Sequence, residues 1–316
     1  MRYGVAIARS LRKRGNEVII TTRKHPDTIP LAEFLKEEVT VVGKYNPESL
    51  YTRLREGIRR QLSFCKIFGK NIPDVAISHG SVDQCRVAFG MGKPIITTVD
   101  TSYAEAVHRH TLPISNYIVA SKAIPEETLR MYNVKGKIVG FNGVDEMAWI
   151  RSQKAAVEYD FGKPLIVVRQ FEEKATYAQE RTNLTELAKR LTRYGKVVFL
   201  SRYHRKTIKD LITPAGFVDS ASLVAQADLF VGVGGTITRE AALQGTPAII
   251  IKTSLVQPVN DFLIEKGFPI FKARISDVPK LAEKLVGKKE DVKPLLKNLE
   301  DPVNTIADIV ERFENN

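Results

Sequence analysis

Apolar residues fall into alternating helical and strand-like runs from one end of the chain to the other. Val5, Ile7, Ala8 and Leu11 share one helical face, Gly15 ends that helix, and a β-branched strand follows at residues 18–22. The pattern then predicts a helix at 31–37, a strand at 39–42, a long basic helix from Pro47 to about Gly69, a strand at 75–78, a helix at 82–91 and a strand at 95–99. Short strands are expected at 116–120 and 137–139. The rhythm breaks near Asn142-Gly143-Val144-Asp145, and a polar stretch runs to Gly162-Lys163-Pro164. A second series begins with a strand at 165–168, a helix at 183–194 and a strand at 197–200. It continues with a helix at 220–226, a strand at 228–231, a helix at 238–243 and a strand at 248–251, with helices to the end. Regular β-α alternation implies parallel sheet with right-handed crossovers. The division is a domain over 1–145 and another over 146–316, with a last helix at 303–313 started by Asp301-Pro302. A doubly wound domain opens on a strand whose loop borders the ligand crevice. Here the helical pattern starts at the first residues, so the first strand of the N-terminal domain is expected to be missing.

Composition adds limits. The 316 residues are 43% hydrophobic and 27% charged, an ordinary globular balance that excludes collagen, a disordered chain or a membrane bundle. Two cysteines, Cys65 and Cys85, form no disulfide framework and no metal-ligand spacing, as expected of buried thiols in a reducing compartment. No apolar run reaches the ~18 residues of a spanning helix. The arginine-rich start resembles an organelle presequence but runs straight into a strand, and is read as structural. The formal net charge of +12 favours anionic partners: nucleic acid, acidic lipid or phosphorylated small molecules. Few Cys, Met and Trp beside many Lys and Arg suit a thermophile.

The sharpest local signal is Asp228-Leu229-Phe230-Val231-Gly232-Val233-Gly234-Gly235-Thr236-Ile237-Thr238-Arg239-Glu240. A buried strand ends, glycines turn, and a helix begins, so that backbone N–H groups can approach a phosphate. Gly234-Gly235 also suits an ordinary loop, and the run is neither GxGxxG nor a Walker loop. Glu240, about a turn further on, could accept hydrogen bonds from ribose hydroxyls.

Together with 217–228 and Gly245-Thr246-Pro247-Ala248, this stretch resembles the nucleotide-sugar half of GT-B glycosyltransferases. In pattern it is similar to the N-acetylglucosaminyl transferase of lipid II assembly and to UDP-N-acetylglucosamine 2-epimerases. Asn142-Gly143-Val144-Asp145-Glu146, Val168-Arg169 and Gly234 to Ala241 most resemble a largely archaeal family, domain of unknown function 354. The resemblance implies two Rossmann-like domains facing a cleft. Gly234, Gly235 and Thr236 would hold the diphosphate, Glu240 the ribose, and residues 217–223 the base. The substrate implied is a nucleotide-sugar, UDP-linked, with no cofactor. In the transferases the first loop carries a His or Asp that activates the acceptor, and residues 1–15 hold no counterpart.

Other candidates come from strand ends. His79 and Ser81 follow the strand at 75–78, and Asp100 follows that at 95–99, where open α/β sheets bind ligands. His79 and Asp100 suit a general base and its orienter, although Asp100 could cap a helix and His79 could be a neutral loop residue. Arg169 and Arg202 end successive strands, and with Arg239 could bind a diphosphate through paired hydrogen bonds, replacing a metal. Surface arginines are the plainer alternative. His108 and His110 do not share a helical face, so no metal site is expected.

Residues 1–70 hold 15 Lys+Arg and 7 Asp+Glu, eight of the twelve excess charges. Within them, the long helix carries Arg53, Arg55, Arg59, Arg60 and Lys66 beside Leu54, Ile58, Leu62 and Cys65. Such a helix either lies on an anionic bilayer or turns its apolar side to the core. Nucleic acid is disfavoured because no recognisable module is present. The leading expectation is an inverting, metal-independent glycosyltransferase with a lipid-linked or cell-envelope acceptor, cytoplasmic and peripheral on the inner face of the membrane. The alternatives are a UDP-sugar 2-epimerase and a non-catalytic nucleotide-sugar-binding protein.

Overall fold

The computed structural model describes residues 1–46, 48–151, 156–170, 183–201, 207–254 and 256–314. Two compact units emerge, Met1–Ala148 with Glu300–Asn316, and Trp149–Leu299.

Unit 1 runs α1 (Arg2–Lys13), β1 (Thr21–Lys24), α2 (Thr28–Phe34), β2 (Thr40–Lys44), α3 (Leu50–Phe68), β3 (Ala76–Ser78), α4 (Val82–Gly90) and β4 (Ile95–Val99). It continues with α5 (Glu105–Thr111), β5 (Tyr117–Ser121), α6 (Glu126–Arg130), β6 (Lys137–Phe141) and the junction helix α7 (Met147–Ile150). All its strands are parallel, but they form two pieces, β1-β2 and β3-β4-β5-β6. β4 is buried on both faces, the mark of a covered parallel sheet.

Unit 2 comprises β7 (Leu165–Arg169), α8 (Thr185–Leu191), β8 (Lys196–Leu200), α9 (Ser220–Gln226), β9 (Leu229–Gly232), α10 (Thr236–Ala242) and β10 (Ala248–Ile251). It then adds α11 (Pro258–Glu265), β11 (Ile270–Ala273), α12 (Val278–Leu285) and α13 (Lys293–Leu296). Its five parallel strands are ordered β11-β10-β9-β7-β8. Ile166, Val168, Leu229, Val231, Ile249 and Ile251 meet α8 and α12 in one core. The sequence pattern predicts only helices after residue 251, and β11 corrects it. Ile270–Ala273 is a four-residue edge strand with one exposed lysine, too short to show a period.

The last helix, α14 (Pro302–Glu314), belongs to unit 1. Arg14 at the end of α1 reaches Asp308 and Glu311, each at 2.8 Å, and the Phe313 ring meets Tyr117 edge to face at 5.5 Å.

The long helix α3 is capped by Ser49, whose hydroxyl accepts the Thr52 N–H at 3.1 Å while the Thr52 hydroxyl accepts the Ser49 N–H at 2.9 Å. Its orientation excludes the core-facing alternative. Leu50, Tyr51, Leu54, Ile58 and Leu62 are each more than half exposed, whereas Glu56, Arg60 and Phe64 are buried. Leu50, Leu54, Ile58 and Leu62 recur every fourth residue and form one continuous outward stripe. Among the described residues no helix is long and apolar enough to cross a membrane.

Candidate functional site

The glycine turn of unit 2 sits at the C-terminal end of its sheet. Register pairs Val168 with Val231, so Arg169 is carried alongside Gly232; a Cβ built on that glycine would lie 3.6 Å from the Arg169 Cβ. Two side chains anchor the turn from behind. The Thr238 hydroxyl donates to the Gly234 carbonyl at 2.6 Å, and Gln257 Nε2 donates to the Val233 carbonyl at 2.9 Å. Gly234 and Thr236 are exposed, while Arg239 is buried. Thr236 opens α10, and the first N–H groups of that helix have no carbonyl one turn back.

The Arg239 side chain folds back along α10 onto Gly235. A Cβ at Gly235 would collide with the guanidinium, lying 3.0 Å from its Cζ and closer still to Nη1. A side chain here would push the Arg239 guanidinium from its place against the turn. Arg169 and Arg239 thus flank one short turn, an arrangement able to meet a diphosphate from two sides. Arg202 lies outside the described residues.

Glu240 is 1% exposed. Its Oε1 accepts from Trp149 Nε1 at 2.9 Å and its Oε2 from the Ser220 hydroxyl at 2.7 Å. Ser220 begins α9, directly after Asp219, which accepts the Ser222 N–H at 3.2 Å. The carboxylate expected at ribose and residues 217–223 expected at the base are thereby hydrogen-bonded together. Sequence reasoning missed the contacts of Trp149 and Ser220 with Glu240, which join segments distant in the chain.

Unit 1 holds an acid–base group of its own. His79 Nδ1 lies 2.7 Å from the Thr98 hydroxyl, and its Nε2 lies 3.9 Å from Asp100 Oδ1, an ion-pair distance rather than a hydrogen bond. With Nδ1–H donating to Thr98, Nε2 is the basic nitrogen. Gly80, at φ +65°, turns the chain after His79. The Tyr3 ring stands edge-on to His79 at 5.6 Å. Burial and the charges of Asp145, Asp301 and Glu146 push the Tyr3 phenol well above its usual range. Tyr3 therefore stays protonated, its ring packed against the histidine. Neither Tyr3 nor Thr98 stands out in the sequence, since their roles depend on contacts with distant segments.

Ser81, expected near substrate, instead accepts from Arg60 Nη1 at 2.9 Å, while its N–H donates to the Ser78 hydroxyl. His108 is buried, and burial lowers its imidazole pKa, so it is held neutral; His110 is exposed. Among the described residues no three His, Cys, Asp or Glu side chains converge as metal ligands.

Comparison with known proteins places these features in a family and a fold. The family described as Protein of unknown function (DUF354) matches residues 1–315. Uncharacterized protein MJ0665 of Methanocaldococcus jannaschii is 27% identical over 325 residues, covering 98% of this chain and 94% of the relative. The crystal structure of the Methanocaldococcus jannaschii UDP-GlcNAc 2-epimerase in complex with UDP-GlcNAc and UDP has a TM-score of 0.71 at 18% identity, over 98% of this chain and 96% of that one. The glycosyltransferase SnogD from Streptomyces nogalater has a TM-score of 0.57 at 14% identity, over 98% and 96%. MurG of Acinetobacter baumannii has a TM-score of 0.54 at 14% identity, over 98% and 95%. The fold is the GT-B type.

Proposed function

Since this chain belongs to the family described as Protein of unknown function (DUF354) and has the GT-B fold, we propose that it binds a nucleotide-sugar on unit 2 and transfers the sugar to a lipid-linked acceptor. The observation that carries the donor site is the pairing of Arg169 and Arg239 about Gly232 to Gly235. Their guanidiniums neutralise the departing diphosphate in the place of a metal ion, and the turn supplies N–H donors. Glu240 holds the ribose, and residues 217–223 lie against a base. In unit 1, His79 takes the acceptor proton through Nε2, with Asp100 stabilising the imidazolium. The bound species in structural neighbours, UDP and UDP-GlcNAc, make UDP-sugars the first donors to test.

Trp149 is the only tryptophan and donates to Glu240, so its fluorescence reads the site directly. UDP titration is expected to change that emission. Gly235→Ala and Arg169→Gln should each weaken UDP binding by about tenfold or more, the worth of a charge-assisted hydrogen bond. UDP, GDP, dTDP and CDP species that all leave emission and melting temperature unchanged would refute the donor site.

The acceptor side rests on α3. A bilayer would cover its apolar stripe, and Arg55 and Arg59, on the same helix, favour anionic headgroups. This makes the protein peripheral on the cytoplasmic membrane face. Leu54→Ser/Ile58→Ser/Leu62→Ser should abolish co-flotation with anionic liposomes while leaving stability within about 0.5 kcal/mol per site, because all three side chains are exposed. Flotation of the triple variant equal to that of the parent would eliminate the membrane contact.

A second reading is UDP-sugar 2-epimerisation, favoured by the TM-score of 0.71 to an epimerase. Epimerisation needs no acceptor. Interconversion of a UDP-sugar by the pure protein alone selects it over transfer.

A further inference from the structure

Unit 1 contains a cavity of about 440 Å³ whose charged lining the proposed transfer leaves unused. It lies where the ends of β1 and β2 meet α3 and α4, and its volume is within the usual range for small-molecule pockets. Arg23, Lys44, Arg53, Arg86 and His110 line it, together with the carboxylates of Glu56 and Asp83.

Both acids are already engaged. Asp83 Oδ2 accepts from Arg23 at 2.7 Å and from the buried Arg60 at 3.4 Å, while its Oδ1 accepts from Gln61 at 3.4 Å. Glu56 Oε1 takes Arg59 at 2.8 Å and Arg55 at 3.3 Å. Arg55, Arg59 and Arg60 are not among the residues lining the cavity, so the lining acids are largely neutralised by arginines behind them. Lys44 and Arg86 have no ion-pair partner among the described residues. One carboxylate shared by Arg23 and Arg60 leaves positive charge in excess at the floor, and burial together with the Arg23 charge lowers the Arg60 pKa. Like charges held around a hollow cost free energy that an anion entering it would recover. Tyr45 gives the wall an aromatic ring, and Leu54 of the outward apolar stripe is part of the lining.

We propose that this cavity is a phosphate-ester site, taking the phosphate or diphosphate group of either a soluble metabolite or a lipid headgroup. Arg23 and Arg86 bind the oxygens through paired N–H donors, and Lys44 adds a point charge. The site is independent of the donor turn in unit 2, so either can fail without the other.

Calorimetric titration of the full chain with inorganic pyrophosphate at low salt tests it, in an Arg169→Gln background that weakens the donor turn. Lys44→Gln/Arg86→Gln should weaken binding about 100-fold, about tenfold per charge removed. Both residues are exposed, so the variant should keep the parent melting temperature and, on wild-type Arg169, the parent response to UDP. Pyrophosphate binding unaltered by the double variant, or absent in the Arg169→Gln parent, overturns the proposal. Vesicles of phosphatidic acid against phosphatidylcholine, compared with soluble glycerol phosphate, separate the sources. Loss of phosphatidic acid binding in the double variant assigns a headgroup, and loss of the glycerol phosphate isotherm alone assigns a soluble ester.

Discussion

Asp83→Ala is expected to destabilise unit 1 by about 3–5 kcal/mol, the cost of stripping the partner from a buried charge. Arg60 is 5% exposed and Asp83 4%. Arg60 also donates through Nε to the Val42 carbonyl at 2.9 Å and stacks on Phe64 at 4.8 Å, so it cannot swing out to water without unpacking α3. A Cβ on Gly57 would lie 3.0 Å from Asp83 Oδ1, which shows how closely α3 and α4 approach around this carboxylate. Asp83→Asn keeps an acceptor and should cost clearly less. Arg60→Met/Asp83→Leu removes both charges and should recover most of the loss, because a buried ion pair contributes little over an apolar replacement. Urea unfolding by circular dichroism measures all three. Trp149 fluorescence follows unit 2 as an internal control. An Asp83→Ala transition at the parent midpoint would show that Arg60 finds water in the folded state.

Glu240→Ala carries the second largest effect, about 2–4 kcal/mol on unit 2, since the Trp149 indole N–H and the Ser220 hydroxyl both lose a buried acceptor. Trp149 emission should shift to the red as its N–H turns to water. Loss of nucleotide binding in this variant would therefore be ambiguous. Glu240→Gln resolves it: the amide oxygen still accepts from Trp149, and the Ser220 hydroxyl can rotate to accept from the amide N–H. It should retain most of the stability yet weaken UDP binding about tenfold, because a neutral amide accepts ribose hydroxyls less strongly than a carboxylate. UDP affinity equal to the parent in Glu240→Gln would remove Glu240 from the ligand and leave it a structural group.

The geometry of the glycine turn could be read in advance because it is local. A strand, a glycine turn and a helix follow each other within Asp228 to Ala242, and the parallel sheet fixes where that turn must lie. Arg169 was legible for the same reason: an apolar strand acquires a charge at its last residue. The bond from Trp149 to Glu240 spans 91 residues and leaves no periodic trace. Ser81 was placed correctly at a strand end, but its hydroxyl faces Arg60 of α3, a partner 21 residues earlier.

Helix α3 shows the division most clearly. Its sequence alone determined an amphipathic basic helix, because apolar residues four apart must share a face whatever surrounds them. Which face turned inward was decided by tertiary structure. The Val42 carbonyl, Ser81 and Asp83 together satisfy the Arg60 guanidinium, so the polar row of Glu56 and Arg60 is buried beside Phe64 and the leucine stripe is left outside. Periodicity fixes what lies together on a helix. Only the hydrogen-bonding partners brought from elsewhere in the chain fix which side of it meets them.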